Sequence, residues 1–297
     1  MATKKTDASM DIIQLSTETI ECCVLGKTPI ILNRMSEKAK RELLLPRGRK
    51  TQAQKATSLK HNPIEEFRAA PYTLPDDDEP TFLAMLSSSF KAAIRGAGVD
   101  IPGASKAQLG RLMWVNGERV PMYGSPRLHM SITRSADKNR TPDVRTRVIL
   151  PRWALRLSIT YVTPQLNAKS VSKLLAAAGL IQGVGDWRPE KGSGNFGQFE
   201  LVSEDDADYL RIIETGGRQE QIDSMESPTP YDQDTEELLE WFNDELGIKC
   251  HPCAPAQITA VKSRAVRVWL VYFRVRVKLK RLAHMLIAAP QFCALNR

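Results

Sequence analysis

Alternating apolar and polar residues predict several β-strands. The clearest is WALRLSITYV (153–162), where every second side chain from Trp153 to Tyr161 is apolar. TIECCVL (19–25) alternates in the same way, and GQFELV (197–202) is typical of a shorter strand. PYTL and TFLAM flank the acidic PDDDEP at 75–80, which predicts a hairpin. A second hairpin is expected in RLMWVNGERVPMY, because Asn116-Gly117 is a strong signal for a tight turn.

Apolar residues spaced three and four apart predict helices. In SSSFKAAIRGAG (87–98), Lys91 and Arg95 are four residues apart and share the face opposite such a stripe. The stripe consists of Phe90, Ala93, Ile94 and Ala97. Asn167 can cap a later helix, whose apolar stripe consists of Val171, Leu174, Leu175, Ala178 and Ile181. A short helix is also expected from Ser36 to Leu44.

The basic body ends in the order strand, helix, glycine-rich loop, strand. A strand and a helix predicted at 19–44 could form the other half of the same domain. Two such units on an antiparallel sheet form a ferredoxin-like, or RRM-like, α+β domain. The sequence therefore predicts such a sheet with helices on one face and long basic loops. The predicted divisions are a disordered N-terminus (1–17), a binding domain (18–202), an acidic linker and helix (203–247) and a basic tail (248–297).

The composition narrows the class of protein. Hydrophobic residues make up 42% of the chain and charged residues 26%, as in an ordinary soluble protein. No stretch reaches the roughly 18 to 20 apolar residues that a transmembrane helix needs. The N-terminus lacks the apolar core of a signal peptide, and five irregularly spaced cysteines fit a reducing compartment. We therefore expect a cytoplasmic protein with no membrane partner.

The net charge of +8 is unevenly distributed. Residues 1–202 hold 30 Lys and Arg against 19 Asp and Glu, residues 203–247 hold 2 against 15, and residues 248–297 hold 10 against none. A basic body favours a polyanionic partner, although the same charge is compatible with a merely solvated surface.

Two basic segments add to this charge, a loop at 47–61 and a long polar segment at 124–149. Segments as long as the second are usually functional or disordered. It supplies three candidate contacts to nucleic acid: Arg134, Arg140 and Arg145.

The most unusual segment is GLIQGVGDWRPEKGSGNFGQFELV (179–202), where five of the 17 glycines fall between Gly183 and Gly197. It lacks the Gly-Lys-Ser/Thr ending of a phosphate-binding loop and follows a helix, which argues against a nucleotide cofactor. In a structural interpretation, Trp187 is an anchor that folds back on the core as a lid. In a nucleic-acid interpretation, the glycines admit phosphates, Arg188 and Lys191 supply charge, and an aromatic ring stacks on a base.

The order strand, helix, glycine loop, strand resembles the RAMP superfamily, the RNA-binding backbone proteins of CRISPR effector complexes. The segment SSSFKAAIRGAG resembles the helix start of that superfamily, which has small residues and carries Lys or Arg. GVGDWRPEKGSGNFGQFELV is similar to the ending of a group of phage-encoded proteins. The resemblance spans residues 19–202 and implies an RRM-like fold that binds RNA. The contacts that it implies are Lys91, Arg95, Gly183, Gly185, Arg188, Lys191, Gly192 and Gly194.

Candidate catalytic groups are sparse. The resemblance to RAMP proteins that cut RNA makes His61 a candidate base, and Asp76 to Glu79 could hold a divalent cation. CHPC (250–253), with His284 and Cys293, could form a zinc site, although the ligand spacing is unusual. The favoured prediction has no catalytic residue, no metal and no cofactor. A metal- or histidine-dependent ribonuclease is the enzymatic alternative.

The C-terminal third allows several interpretations. The helix predicted in DTEELLEWFNDELG (234–247) either docks on the basic body or acts as a tethered peptide that competes with nucleic acid or recruits a protein to 232–247. Residues 248–297 form either an added basic strand or amphipathic segment, or the product of a changed reading frame.

Together these features predict a non-enzymatic protein that binds single-stranded nucleic acid, RNA before DNA, and assembles as a homo-oligomer along the strand. A phage protein that binds or anneals single-stranded DNA, and a structural protein whose charge serves assembly, are the alternatives.

Overall fold

The structure, a computed structural model, describes residues 14–35, 40, 44, 61–101, 105–134, 142–191 and 194–247. They form an α+β fold, so the predicted class is confirmed. The strands are β1 (Ser16–Gly26), β2 (Ile30–Leu32), β3 (Tyr72–Thr73), β4 (Leu83–Leu86), β5 (Met113–Val115), β6 (Arg119–Tyr123), β7 (Arg127–Arg134), β8 (Pro142–Leu150), β9 (Ala154–Thr163) and β10 (Phe199–Val202). The helices are α1 (Pro63–Ala69), α2 (Ser87–Ala97), α3 (Lys106–Leu112), α4 (Ala168–Ala177), α5 (Ala207–Thr215), α6 (Arg218–Glu226) and α7 (Gln233–Glu245).

Seven of these strands form the main sheet, which is antiparallel and curled, in the order β10-β1-β9-β6-β4-β3 with β5 also paired to β9. The longest ladder joins β1 to β9, from Ser16 opposite Thr163 to Leu25 opposite Ala154. The strands predicted at 19–25 and 153–162 are thus confirmed, and so is the β3–β4 hairpin around the acidic turn. The alternate apolar side chains of β9 are fully buried: Leu155, Leu157 and Ile159 are each 0% exposed.

Helices α2 and α4 cover the inner face of the main sheet. All four residues of the stripe predicted for α2 are buried, which confirms that helix. The side chain of Asn167 accepts a hydrogen bond from Ser170 N at 2.9 Å, which confirms the predicted cap of α4. The α4 stripe ends at Ala178, and Ile181 is 36% exposed because the chain turns into a π-helical turn at Ala178–Gln182.

The hairpin predicted at Asn116-Gly117 is wrong. Strands β5 and β6 do not pair with each other; both lie antiparallel along the same edge of β9. Val115 lies opposite Ile159, and Met122 lies opposite Leu155. The chain therefore advances seven positions from Val115 to Met122 while β9 advances four, and the three extra residues form a bulge. The side chain of Asn116 explains why the chain does not reverse, because its Nδ2 donates to Ser158 Oγ at 2.9 Å.

Strands β2, β8 and β7 form a second, three-stranded antiparallel sheet. Most of this sheet comes from the segment 124–149, for which we predicted a long loop, and that prediction is wrong. Leu128 and Met130 alternate with polar residues in β7, and their side chains join the core with Val148 from β8. This alternation is typical of a strand, but the segment was interpreted from its arginines rather than from its periodicity.

The acidic segment 203–247, predicted as a linker and a helix, is packed against both sheets, which confirms the interpretation that its last helix docks on the body. Helix α5 buries Tyr209 and Ile212 against Cys23 and Ala154, on the face of the main sheet opposite α2 and α4. The expectation of helices on one face only is therefore wrong. Helix α7 lies beside β7, where Thr235 Oγ1 accepts a hydrogen bond from Met130 N at 3.2 Å.

Helix α6 is joined to the main sheet by one buried amide. Gln221, 0% exposed, accepts hydrogen bonds from Phe82 N at 2.9 Å and Leu83 N at 2.8 Å. Its Nε2 donates to Met122 O at 2.8 Å and to two further carbonyls, those of Gly124 and Gly216. Every hydrogen-bonding atom of this side chain is therefore used.

Some predictions concern residues outside the described part of the chain. They are residues 1–13 of the predicted disordered N-terminus, most of the helix at 36–44, the basic loop up to residue 60, Arg140, Gly192 and the tail from 248 onward, including Cys250, His251, Cys253, His284 and Cys293.

Candidate nucleic-acid interface

The glycine loop between α4 and β10 is hydrogen-bonded to the edge of β2. Asp186 N donates to Ile31 O at 2.9 Å, and Gly197 N donates to Pro29 O at 2.8 Å. Across the base of the loop, Val184 N donates to Gly197 O at 2.9 Å. The described residues of the loop are therefore held in a defined shape by backbone hydrogen bonds, although the glycine content suggests flexibility.

Two glycines show what the loop needs from this residue type. Gly185 has φ +84°, and a Cβ there would lie 2.8 Å from both Ile30 Cγ1 and Ile31 O. A Cβ on Gly194 would overlap the carbonyl oxygen of Trp187. Gly183 also has positive φ, +66°, where the π-helical turn ends. Gly183, Gly185 and Gly194, which were predicted to admit phosphates, thus each serve the internal packing of the loop.

Trp187 holds the loop through its backbone. Its φ is +52°, its N–H donates to Asp186 Oδ1 at 3.1 Å, and its carbonyl accepts from Phe196 N at 3.2 Å. The indole is 37% exposed and does not cover the core, in contrast to the predicted lid. Its ring lies 6.4 Å from that of Phe196, so the loop presents a partly exposed aromatic pair.

The two predicted cations of the loop differ in availability. Arg188 folds back into the loop, where Nε donates to Glu190 Oε2 at 2.8 Å and an η nitrogen donates to Gly185 O at 3.0 Å. Lys191 is exposed, and within the described part of the chain it forms no ion pair. Arg188 therefore supports the loop, while Lys191 is open to an anion.

The carboxylate of Asp186 joins the loop to the second sheet. Asp186 Oδ2 lies 2.9 Å from an η nitrogen of Arg147 and accepts a hydrogen bond from Asn33 Nδ2 at 3.1 Å. The Arg147 side chain is only 4% exposed. Burial lowers the pKa of Arg147, and Asp186 opposes that effect. Neither residue was predicted as part of the site. Arg147 lies in the polar segment 124–149, which was not predicted to form strands.

A cleft of about 700 Å³ separates the glycine loop from α2. Its walls include Ser88, Ser89 and Arg95 of α2, Lys106 of α3, and Gly183, Gly185 and Arg188 of the loop. The structure therefore brings together four of the residues that were predicted separately, namely Arg95, Gly183, Gly185 and Arg188. Arg95 Nε is buried without a hydrogen-bond partner among the described residues. Lys91 is half-buried on α2 and is not among the lining residues.

Of the three arginines predicted in the polar segment, the two that the structure describes, Arg134 and Arg145, lie in the β7–β8 hairpin and are not among the cleft-lining residues. The backbone of Arg134 ends β7 opposite Pro142, and Arg140 is outside the described residues. Arg145 lies opposite Ser131, with a side chain 48% exposed and Nε 3.8 Å from Asp143 Oδ2.

One face of this hairpin buries polar side chains. His129 lies opposite Arg147, and Ser131 follows on the same face. In the described residues, neither ring nitrogen of His129, nor Ser131 Oγ, nor one η nitrogen of Arg147 has a hydrogen-bond partner. Burial lowers the pKa of His129 from its ordinary value of 6.5; Asp232, 3.7 Å from Nδ1, acts in the opposite direction and Arg147 acts in the same one.

His61, the candidate base, lies between two carboxylates. Its Nδ1 is 2.8 Å from Glu66 Oε1 and its Nε2 is 3.1 Å from Asp143 Oδ1. A histidine that acts as a general base needs a ring nitrogen turned toward the substrate, and here both nitrogens face protein carboxylates. In the acidic turn, Asp77 pairs with Arg218 at 3.0 Å. No group of three or more potential metal ligands occurs among the described residues.

No known protein-family model matches the chain, and no curated protein sequence matches it. Among the residues that the structure describes, no helix is both long and apolar enough to cross a membrane.

Proposed function

We propose that this protein binds single-stranded nucleic acid, RNA before DNA, through the sugar-phosphate backbone in the cleft between α2 and the glycine loop. The observation that carries the proposal is the convergence of Arg95 and Lys106 on one cleft of about 700 Å³ that the glycine loop also lines, beside an exposed Lys191. Arg95 and Lys106 form no ion pair within the described residues, so their charge is available to phosphates. The aromatic pair Trp187–Phe196 offers a surface on which a base can stack.

A ferredoxin-like, RAMP-like core belongs to the same proposal. Its support is the strand order β10-β1-β9-β6, all antiparallel, which is the order 4-1-3-2 of a ferredoxin-like sheet. Two further features agree with it: α2 and α4 lie on the inner face, and the glycine loop lies between α4 and the last strand. The curled sheet and the inserted strands β3 and β4 depart from the simplest form of that fold.

We further propose that the protein acts by binding, without a catalytic step, in the cytoplasm, and that copies assemble along the strand. The two carboxylates on His61 are the observation that favours binding over cleavage.

The test compares two double variants of the full chain. Arg95→Gln with Lys106→Gln removes two cleft charges, and Arg111→Gln with Arg152→Gln removes two exposed charges outside the cleft lining. The ligand is a labelled single-stranded RNA of about 20 nucleotides, a length that spans several sites. We expect the cleft variant to bind this RNA at least tenfold more weakly than the parent. Its log affinity should also depend less on log salt, by about one to two phosphates at roughly 0.7 each.

Fluorescence anisotropy with RNA, DNA of the same sequence and duplex RNA provides the measurement. Equal losses in both double variants would show charge attraction without a site and would contradict the proposal. Gel analysis of the RNA after incubation with Mg²⁺ provides the second readout, since cleavage would favour the ribonuclease instead.

A further inference from the structure

Helix α7 has an acidic outer stripe with an exposed tryptophan in its middle. Asp234, Glu237, Trp241 and Asp244 follow one another at helical spacing on the side away from the core, and the Trp241 side chain leaves that residue 63% exposed. The inner side carries Thr235, Leu238 and Leu239, which pack on the body. Trp241, which lies among carboxylates on the exposed side of α7, therefore buries little of its surface in the fold.

The helix dipole favours the carboxylates of Asp234 and Glu236 in the first turn of α7, whereas the charges farther along the helix oppose helix formation. The helix has six acidic residues and no basic one, and Asp244 and Glu245 lie near its C-terminus, where the helix dipole disfavours negative charge. Glu236, Glu240 and Asp244 are successive i,i+4 neighbours of like charge. No residue in the described part of the chain forms an ion pair with these carboxylates. Such a conflict is expected where a positively charged partner binds.

Helix α4 has the complementary surface. Its exposed stripe consists of Lys169, Lys173 and Ala176, and Leu180 continues it with 60% exposure. Lys169 lies in the first turn of the helix, where the dipole disfavours positive charge, and that turn contains no acid. Neither lysine forms an ion pair with another described residue.

We infer that α7 of one copy binds the outer stripe of α4 on a second copy of this chain. The lysines of α4 would then lie against the carboxylates of α7, and Trp241 would pack on the exposed apolar end of α4. Helix α4 packs on the main sheet, whereas α7 lies beside β7 of the second sheet. The two surfaces therefore lie on different parts of each copy. A contact between two different surfaces is heterologous, and repeated contacts of this kind form either a closed ring or an open row of copies.

The contact is small, since it joins single helices of 10 and 13 residues. Interfaces of this kind fall in the weak class, so we expect reversible association that weakens as salt screens the charges. The inference goes beyond the proposed function and needs no nucleic acid for its test, so either can fail alone.

The experiment uses charge reversal in the full chain and sedimentation velocity at low salt. Lys169→Glu with Lys173→Glu reverses the α4 stripe, and Glu237→Lys with Asp244→Lys reverses the α7 stripe. We expect the parent to associate as its concentration rises and each double variant to stay monomeric. An equimolar mixture of the two variants should associate again, because each restores opposite charges to the other.

The mixture separates contacts between copies from contacts within one chain. Failure of the mixture to associate, or a monomeric parent at every concentration, would overturn the inference. Glu21→Lys with Glu214→Lys is the matched control, because both residues are exposed and the charge change equals that of the α7 variant; it should associate like the parent. If the control loses association to the same extent, net charge rather than the α7 surface is responsible. Trp241→Ala should weaken association while circular dichroism and the melting temperature stay those of the parent.

Discussion

The main sheet and the second sheet treat buried polar groups in opposite ways. Where helix α6 meets the main sheet, the buried amide of Gln221 uses all its hydrogen-bonding atoms. In the second sheet, His129, Ser131 and Thr146 are buried with side-chain atoms that lack partners among the described residues, and Arg147 uses only part of its guanidinium.

This difference bears on the stability of the two regions. A buried polar group that lacks a partner costs about 1–3 kcal/mol relative to one that is paired. The Gln221 contact with the main sheet avoids that cost, whereas the second sheet carries it at the place where the glycine loop is attached through Asp186 and Arg147. The predictions below remove paired and unpaired groups in turn.

The largest effect is expected for Gln221→Leu. The change keeps the volume of the side chain but leaves Phe82 N, Leu83 N and Met122 O buried without partners. We expect a loss of roughly 3 kcal/mol or more in the free energy of unfolding, measured by urea denaturation. Gln219→Leu, on the exposed side of the same helix, should change it by less than about 0.5 kcal/mol. A small effect at Gln221 would mean that the acidic segment is not part of the cooperative fold.

Asp186→Ala should come next. The substitution leaves the Arg147 charge buried without its carboxylate, which costs roughly 3 kcal/mol. The matched control is Glu204→Ala, which breaks an exposed ion pair with Arg156 and should cost less than about 1 kcal/mol. Adding Arg147→Met to Asp186→Ala should recover part of the loss, because no uncompensated charge then remains. Equal costs for the two single variants would show that the Arg147–Asp186 pair is effectively solvated.

His129 gives the second sheet a dependence on pH. Its pKa in the folded state is lowered below 6.5 by burial, so the unfolded chain takes up a proton first as the pH falls. The stability that the neutral imidazole contributes is complete above about pH 6.5 and declines below it. His129→Leu should therefore make the free energy of unfolding fall less steeply between about pH 7 and pH 5, as urea titrations at each pH can measure. An unchanged slope would contradict the assignment.

The smallest effect has the opposite sign. Thr146→Val replaces a buried hydroxyl that has no partner among the described residues, so it should stabilise the protein by about 0.5–1 kcal/mol. Thr235→Val makes the same chemical change at a hydroxyl that accepts from Met130 N, and it should destabilise by about 1 kcal/mol. Melting temperatures of the two variants should thus move in opposite directions. A shift of both in the same direction would remove the distinction between the two kinds of site.

The main sheet was largely predictable because its strands have one apolar and one polar face. The alternation in β9 and the stripe of α2 carry that signal directly. Strand β7 of the second sheet has the same alternation and was missed because its segment was interpreted from its arginines. The pattern could not show that His129 and Arg147 are buried, since it expects polar residues to face solvent. The Asn116-Gly117 turn failed for a different reason: its preference for positive φ, +76° at Gly117, is satisfied equally well by a bulge.

The candidate site was predictable in composition but not in arrangement. The sequence pointed to the glycine loop and to α2, and the cleft includes residues from both. It could not indicate that Arg188 bonds within the loop or that Asp186 reaches Arg147, because these contacts join residues that are distant in the chain. The role of the glycines was also hidden, since close packing and ligand approach require the same absence of a Cβ.

The pairing of β1 has a consequence for how the protein is made. Both partners of this first strand, β9 and β10, come late in the chain, and the nearer one begins at Ala154. At a synthesis rate of about 5–20 residues per second, β1 waits on the order of ten seconds after leaving the ribosome before a native partner exists. During that interval its backbone donors and acceptors are open to other nascent chains. Glu18 and Glu21 within the strand supply negative charge that opposes such pairing until β9 arrives.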